Sequence, residues 1–169
     1  MKTPSAQSMK NTSTPKIVVA VLPHIGDQIL LQLRDNIPEI VYPGHWGFFS
    51  GEIEKGEEPD LAVRRELQEE LGYNPKALVK LGVDQTAELI SHYYCCPLTV
   101  PVESLVLMEG QDLGLFPAEG VLTSKKLFSN GKKSFFPVID NPFLFRAINR
   151  FLEYYNAKAM GSKKRSIAK

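Results

Sequence analysis

The stretch from Gly51 to Tyr73, GEIEKGEEPDLAVRRELQEELGY, crowds eight carboxylates and three cations into twenty-three positions. Pro59 suits the first turn of a helix and Gly72 suits the left-handed residue that ends one, so the spacing predicts a helix from Pro59 to Leu71. With about 3.6 residues per turn, Glu66, Glu69 and Glu70 share one face, and Val63, Leu67 and Leu71 form an apolar strip beside it. Ala62, one turn before Glu66, leaves room there. A helix patterned this way must dock its apolar strip on a core while its acidic strip points to a rim or a cleft.

Like charges about 5 Å apart repel by roughly 1 kcal/mol in water-like surroundings and by about 3 kcal/mol at an effective dielectric near 20. Such a strip costs stability unless it is solvated or neutralised. A hard divalent cation neutralises it with the oxygen ligands it prefers, and Mg²⁺ binds a few carboxylates while keeping waters and substrate phosphates in its shell. The simpler reading is an exposed helix in which Arg64 pairs with Asp60 and Arg65 with Glu69.

The rest of the chain narrows the setting. At 169 residues, 43% hydrophobic and 23% charged, it has the make-up of one globular domain. Its net charge of +1 gives no global field for nucleic acid, so no nucleic-acid partner is expected and any charge-based function must be local. Cys95 and Cys96 are adjacent in an apolar run, without the spacing of a disulfide framework or a zinc site, and read as reduced core thiols. His24, His45 and His92 show no ligand or triad spacing. No stretch reaches the roughly 18 apolar residues of a membrane span and the first fifteen residues hold no apolar signal region, so a cytoplasmic protein without a membrane partner is expected.

Residues 1–15, rich in Ser, Thr, Pro and Asn, are expected to form a disordered tail, and residues 158–169 a basic one; the domain spans 16–157. KIVVAVLP and QILLQLR read as a hairpin about HIGD, and ALVKLGVD, AELISHYYCC and SLVLMEG as further strands. YPGHWGFFSG reads as a loop packed on the core. NPFLFRAINRFLEYYNAK opens with an Asn-Pro start signal and carries Leu144, Ile148, Phe151, Leu152 and Tyr155 at helical spacing. The fold class is α+β, a mixed sheet flanked by helices.

Gly51, Glu57, Arg65-Glu66-Leu67, Glu69-Glu70, Gly72 and the apolar Tyr73 match the Nudix box at every fixed position. At ordinary residue usage a chance match is well below about one in a million. The chain therefore resembles the Nudix hydrolases, in detail the MutT-like members, over roughly residues 16–157. The resemblance implies the Nudix fold, an α/β/α sandwich with a mixed β-sheet, and a pyrophosphohydrolase dependent on Mg²⁺ or Mn²⁺. Such an enzyme cleaves the phosphoanhydride of a nucleoside diphosphate linked to another group, here a nucleoside triphosphate or nucleotide sugar, and leaves a homodimer open.

Carried over by position, Glu66, Glu69 and Glu70 are the metal-binding carboxylates, with the backbone carbonyl of Ser50 a further ligand. Glu57 and Arg65 pair to brace the loop on the helix. EGQDLGLF resembles the MutT loop and puts Glu109 forward as a ligand or base, with Glu103 and Glu119 behind it; the water-activating carboxylate is Glu66 or Glu109. Arg34 matches an arginine that meets substrate phosphates, and Trp46, Phe48 and Phe49 are candidates to stack on a base. Ser50 stands where many members carry Gly, and Ser tolerates fewer backbone conformations. Two other readings share the fold: an inactive nucleotide-binding regulatory module, and a prenyl diphosphate isomerase, which needs a reactive cysteine.

Overall fold

The computed structural model describes the backbone of residues 14–167 and the side chains of residues 14–161. The expected N-terminal tail lies outside the described residues except for Thr14 and Pro15, as do the side chains of most of the basic C-terminal segment.

The apolar runs form strands because they are buried on both faces. β1 (Lys16–Ile25) turns at Gly26, φ 59°, into β2 (Gln28–Leu33), the expected hairpin. β3 (Trp46–Gly47) and β4 (Phe49–Glu52) add to β2 and β1, and β5 (Val79–Gln85) pairs antiparallel with β6 (Leu89–Pro97). β6 runs parallel to β1, so the seven-stranded sheet is mixed.

Alternation along β1 and β6 sends neighbouring residues to opposite faces. Ala20, Leu22, Tyr93 and Cys95 enter one core, and Val19, Val21, Tyr94 and Cys96 enter the other. The adjacent cysteines are thus free, fully buried and on opposite sides of the sheet, and burial pushes both thiols up to about 12.

The first core is covered by α2 (Ala118–Thr123) and α3 (Pro142–Ile167), the second by α1 (Pro59–Leu71). The result is the expected α/β/α sandwich. α3 inserts Leu144, Ala147, Ile148 and Phe151, and it continues past residue 157 to Ile167. α1 spans the predicted residues and buries Ala62, Val63, Leu67 and Leu71. Gly72 at φ 61° closes it: the amides of Gly72 and Tyr73 donate to the carbonyls of Gln68 and Leu67. Burying the four apolar side chains, at about 1.5–3 kcal/mol for each large one, outweighs the repulsion along the acidic face.

Three expectations are corrected. YPGHWGFFSG is a loop only as far as His45, because Trp46–Gly47 and Phe49–Glu52 pair with β2 and β1 as β3 and β4. SLVLMEG is not a strand: Leu105 and Leu107 alternate inward as a strand would, but Val106 N–H donates to Leu71 O and Met108 N–H to Glu70 O, so its partners are the free carbonyls ending α1. EGQDLGLF is a loop only at its start, because Asp112–Pro117 forms β7 and pairs antiparallel along β2. A small second sheet, β8 (Lys126–Ser129) with β9 (Ser134–Pro137), follows α2.

Candidate active site

Three segments meet at the C-terminal half of α1. β2 ends there with Gln32 and Arg34. β4 brings Ser50 and Gly51 against the helix, and the strand-like segment bonded to the end of α1 delivers Glu109. They bound a trough of about 430 Å³ lined by Gln32, Arg34, Ser50, Glu70, Glu109 and Gly110 together with Asp35, Ile37 and Ile40.

Gly51 explains how close the layers come. A Cβ there would overlap the Glu66 carboxylate, so glycine is what lets that carboxylate lie in its present place against β4. Ser50, one residue earlier, sits in the same extended strand and is absent from the non-glycine residues with positive φ, so a side chain costs nothing there. Gly110, at φ 97°, turns the arriving segment beneath the Leu33 carbonyl. The turn is held by Gly110 N–H to Asp35 Oδ2 at 3.1 Å and Gln111 N–H to Leu33 O at 2.7 Å.

The carboxylates do not share one environment. Glu70 is only 6% exposed and accepts Gln32 Nε2–H at 2.6 Å. Burial, followed by the charges of Glu66 and Glu109, pushes it up to about 8 against the pull of Gln32 and Arg34. Glu66 is also raised, mainly by burial, although Arg65 donates to its Oε1 at 2.6 Å and pulls the other way. Glu69 has a 59% exposed side chain, meets Arg65 at 3.3 Å and does not line the trough.

Arg65 grips Glu57 through two hydrogen bonds of 2.9 Å, and its second terminal nitrogen also donates to Glu52 O at 3.0 Å. Glu57 in turn accepts from the Glu54 amide at 3.0 Å, so one guanidinium ties the loop after β4 to the helix. Its hydrogen bond to Glu57 holds Arg65 well above the ordinary arginine range, and the same bond lowers Glu57. Arg64 does not pair with Asp60. It donates to Asn74 Oδ1 and Pro75 O beyond the helix end, while Asp60 accepts the Tyr94 hydroxyl at 2.6 Å.

Arg34 is steered by the long loop after β2, its Nε–H donating to Val41 O at 2.9 Å. Two further hollows, which share Phe48, Ser50 and Asn141, lie beside the trough with Ser50 in the wall of all three. One, of about 200 Å³, is walled by Arg34, Tyr42 and Ile139. The other, of about 300 Å³, is walled by Tyr93, Phe143 and Lys16. Of the three aromatics proposed to stack on a base, Phe48, half-buried, reaches them. Trp46 and Phe49 are corrected: both are fully buried, and Trp46 packs edge-on to Phe116 and donates Nε1–H to Leu127 O at 3.2 Å, so neither has a face free for a base.

Sequence reasoning missed Gln32 and Asn141. The signal for Gln32 was present, a lone amide inside the apolar run LLQL that needed a buried polar partner. Asn141 was read only as a helix start, and its Oδ1 does accept the Phe143 amide at 2.7 Å. Glu103 and Glu119, the fallbacks for Glu109, do not line the trough.

Glu66, Glu70 and Glu109, close enough for their charges to act on one another, with Glu66 in the space that Gly51 leaves, form a donor set suited to a hard divalent cation. Among the described residues no three His, Cys, Asp or Glu side chains are already drawn into a metal-holding cluster. Arg65 and Gln32 hold the oxygens of Glu66 and Glu70, so these two side chains must turn to converge on a cation.

A family model for the NUDIX domain matches residues 14–137. Among curated proteins, nucleoside triphosphatase NudI of Salmonella arizonae and of Salmonella newport are each 39% identical over 56 residues, 33% of this chain and 38% of theirs. The match thus spans well under half the length of these relatives. Among solved structures, the NUDIX domain of Shewanella oneidensis NrtR complexed with ADP ribose superposes with TM-score 0.60 at 17% identity, covering 88% of this chain and 93% of that one. The MutT NUDIX hydrolase of Burkholderia pseudomallei gives 0.59 at 20%, covering 82% and 98%. At these identities the likeness is one of fold.

Proposed function

The chain belongs to the Nudix family, and from that footing we propose that it is a metal-dependent pyrophosphohydrolase acting on nucleoside triphosphates. The observation that carries this reading is the trough itself. Glu109 and the buried Glu70 line it together with Arg34, in a cavity large enough for a diphosphate, and the half-buried Glu66 stands beside its wall against Gly51.

Arg34 offers its guanidinium fork to the phosphate oxygens, as its Nε–H is already committed to Val41 O. Phe48 and Asn141 border the hollows beyond it, where a nucleoside would lie with its ring against Phe48. Glu66, Glu69, Glu70 and the Ser50 carbonyl are the groups proposed to hold a divalent cation, Mg²⁺ or Mn²⁺. The chemistry such an ion would supply there is neutralisation of the diphosphate oxygens and a lowered pKa of water. Glu66 or Glu109 would orient a water and accept its proton as the water oxygen bonds to phosphorus and the bridging P–O bond breaks, the bridging oxygen leaving on the other phosphate. Gln32 holds Glu70 in the resting rotamer from which it must turn toward a cation, and the Arg65–Glu57 fork keeps β4 and its following loop against the helix.

Nucleoside triphosphates are preferred over nucleotide sugars because the NudI relatives match over this part of the chain. A prenyl diphosphate isomerase is disfavoured, as both cysteines are buried with thiols pushed up to about 12. An inactive module is disfavoured by the complete set of carboxylates. The deciding experiment incubates purified protein with Mg²⁺ or with Mn²⁺ and a panel of nucleoside triphosphates and nucleotide sugars, measuring both phosphate and pyrophosphate. Pyrophosphate release from a triphosphate, abolished by EDTA, is expected; no hydrolysis of any member with either metal overturns the proposal.

A further inference from the structure

The whole chain is nearly neutral, yet residues 124–136, SKKLFSNGKKSFF, hold four lysines and no carboxylate. They form the β8–β9 hairpin, and the pleat sorts them. Leu127 and Phe136 pair across the strands and pack on the core below, whereas Phe128 and Phe135 pair on the outer face, 39% and 63% exposed. Their rings meet edge to face, 5.2 Å apart at 67°. Lys126 lies on the same outer face, Lys132 and Lys133 sit at the turn, all are exposed, and none of the ion pairs among the described residues uses them.

We propose that this outer face is a docking surface for single-stranded nucleic acid, with Phe128 and Phe135 stacking on bases and Lys126, Lys132 and Lys133 meeting the phosphates. Exposed aromatic rings flanked by unpaired cations on a sheet suit that ligand, because every unpaired base offers a flat face and every linkage a negative charge. The platform is rigid before any ligand arrives. Asp112 accepts the Ser129 hydroxyl and the Gly131 amide, Ser129 Oγ accepts the Lys132 amide at 2.9 Å, and Trp46 donates to Leu127 O. Little ordering is lost on binding. The apolar atoms lie on the flat of the hairpin while its tip is Asn130, Gly131, Lys132 and Lys133, an arrangement suited to stacking rather than to lipid insertion.

The site is independent of phosphoanhydride hydrolysis, and its test uses a ligand with no phosphoanhydride to cut. A fluorescein-labelled oligouridine with a 5′-hydroxyl end is titrated with the full chain and followed by anisotropy. Binding is expected, weakening with a log–log salt slope of about −2 as the three lysine–phosphate contacts are lost. Phe128→Ser/Phe135→Ser and Lys126→Glu/Lys132→Glu should each weaken it by at least about tenfold, with the melting temperature and nucleotide hydrolysis unchanged. No binding by the wild-type chain overturns the proposal, as does binding that survives both double variants. Equal affinity for a duplex removes the stacking role. Loss on Arg34→Ala with retention in the hairpin variants puts the strand in the trough instead, and binding only to vesicles containing phosphatidylserine assigns the face to membranes.

Discussion

The two long helices lie on opposite faces of one sheet and are held in different ways. α3 is held by bulk: Leu144, Ala147, Ile148 and Phe151 fill a broad core, with Phe151 stacked on Tyr155 and tilted against His24. α1 is held by fit. Gly51 admits the Glu66 carboxylate, Gly72 turns the chain at the helix end, Arg65 clamps Glu57, and the 105–108 segment uses the last carbonyls. Apolar packing tolerates exchange of one side chain for another of similar volume, whereas close approach and ion pairing do not. The candidate chemistry sits on the helix whose position is specified atom by atom.

The comparison is broken most forcefully from the α3 side. Phe151→Ala should cost about 3–5 kcal/mol of stability, a large share of the roughly 5–15 kcal/mol available to a domain. Turnover per folded molecule should not change, since Phe151 lies more than two turns beyond Asn141. Urea denaturation gives the first quantity and active-fraction kinetics the second. A fall in turnover larger than the loss of folded protein would show that α3 also positions the chemistry.

On α1 the balance should invert. Glu70→Gln keeps the size of the side chain and a partner for Gln32 but removes the buried charge. Turnover should drop by at least about a hundredfold while the melting temperature holds or rises, because a desolvated carboxyl crowded by Glu66 and Glu109 is relieved. A wild-type kcat in this variant would detach Glu70 from the reaction. Glu69→Gln, whose target is exposed and outside the trough, separates a ligand that swings inward from one that never arrives.

Arg65→Ala falls between the two. The fork on Glu57 and the bond to Glu52 O go together, so stability should fall by about 1–3 kcal/mol and kcat by roughly tenfold, as β4 and its loop loosen from the helix. An unchanged melting temperature with only KM raised would make Arg65 a substrate contact instead of a brace.

The same contrast explains what could be read from the sequence. α1 was legible to the residue because Pro59, Gly72 and the carboxylate spacing are local signals, and β1, β2 and α3 were legible from apolar period. The 104–110 segment defeated the reading because it has the alternation of a strand but bonds to a helix end, and β7 did so because DLGLFP becomes a strand only beside β2. Trp46 shows the limit for aromatics, since composition cannot tell a ring packed under a hairpin from one open to a ligand. Gln32 was hidden for a related reason: its meaning depends on Glu70, thirty-eight positions away.

Glu109 gives the smallest expected effect and the sharpest test of the fit that distinguishes α1. Its placement rests on two backbone hydrogen bonds, Met108 N–H to Glu70 O at 2.9 Å and Gly110 N–H to Asp35 Oδ2 at 3.1 Å, one on each side of it. They set Glu109 in the trough wall near enough for its charge to act on both Glu66 and Glu70. In the proposed reaction either Glu66 or Glu109 serves the attacking water, and loss of one would leave the other. Glu109→Gln at saturating Mg²⁺ should lower kcat by about tenfold, less than Glu70→Gln, with KM and melting temperature nearly unchanged. A loss as deep as that of Glu70→Gln makes Glu109 the sole base, and a wild-type rate removes it and leaves Glu66. Gly110→Ala repeats the test without touching a carboxylate: its Cβ would come within 2.8 Å of Leu33 O on a backbone at φ 97°, so the turn must shift and carry Glu109 with it. Equal losses in the two variants would mean that the position of Glu109, set by the end of α1, is what the reaction uses.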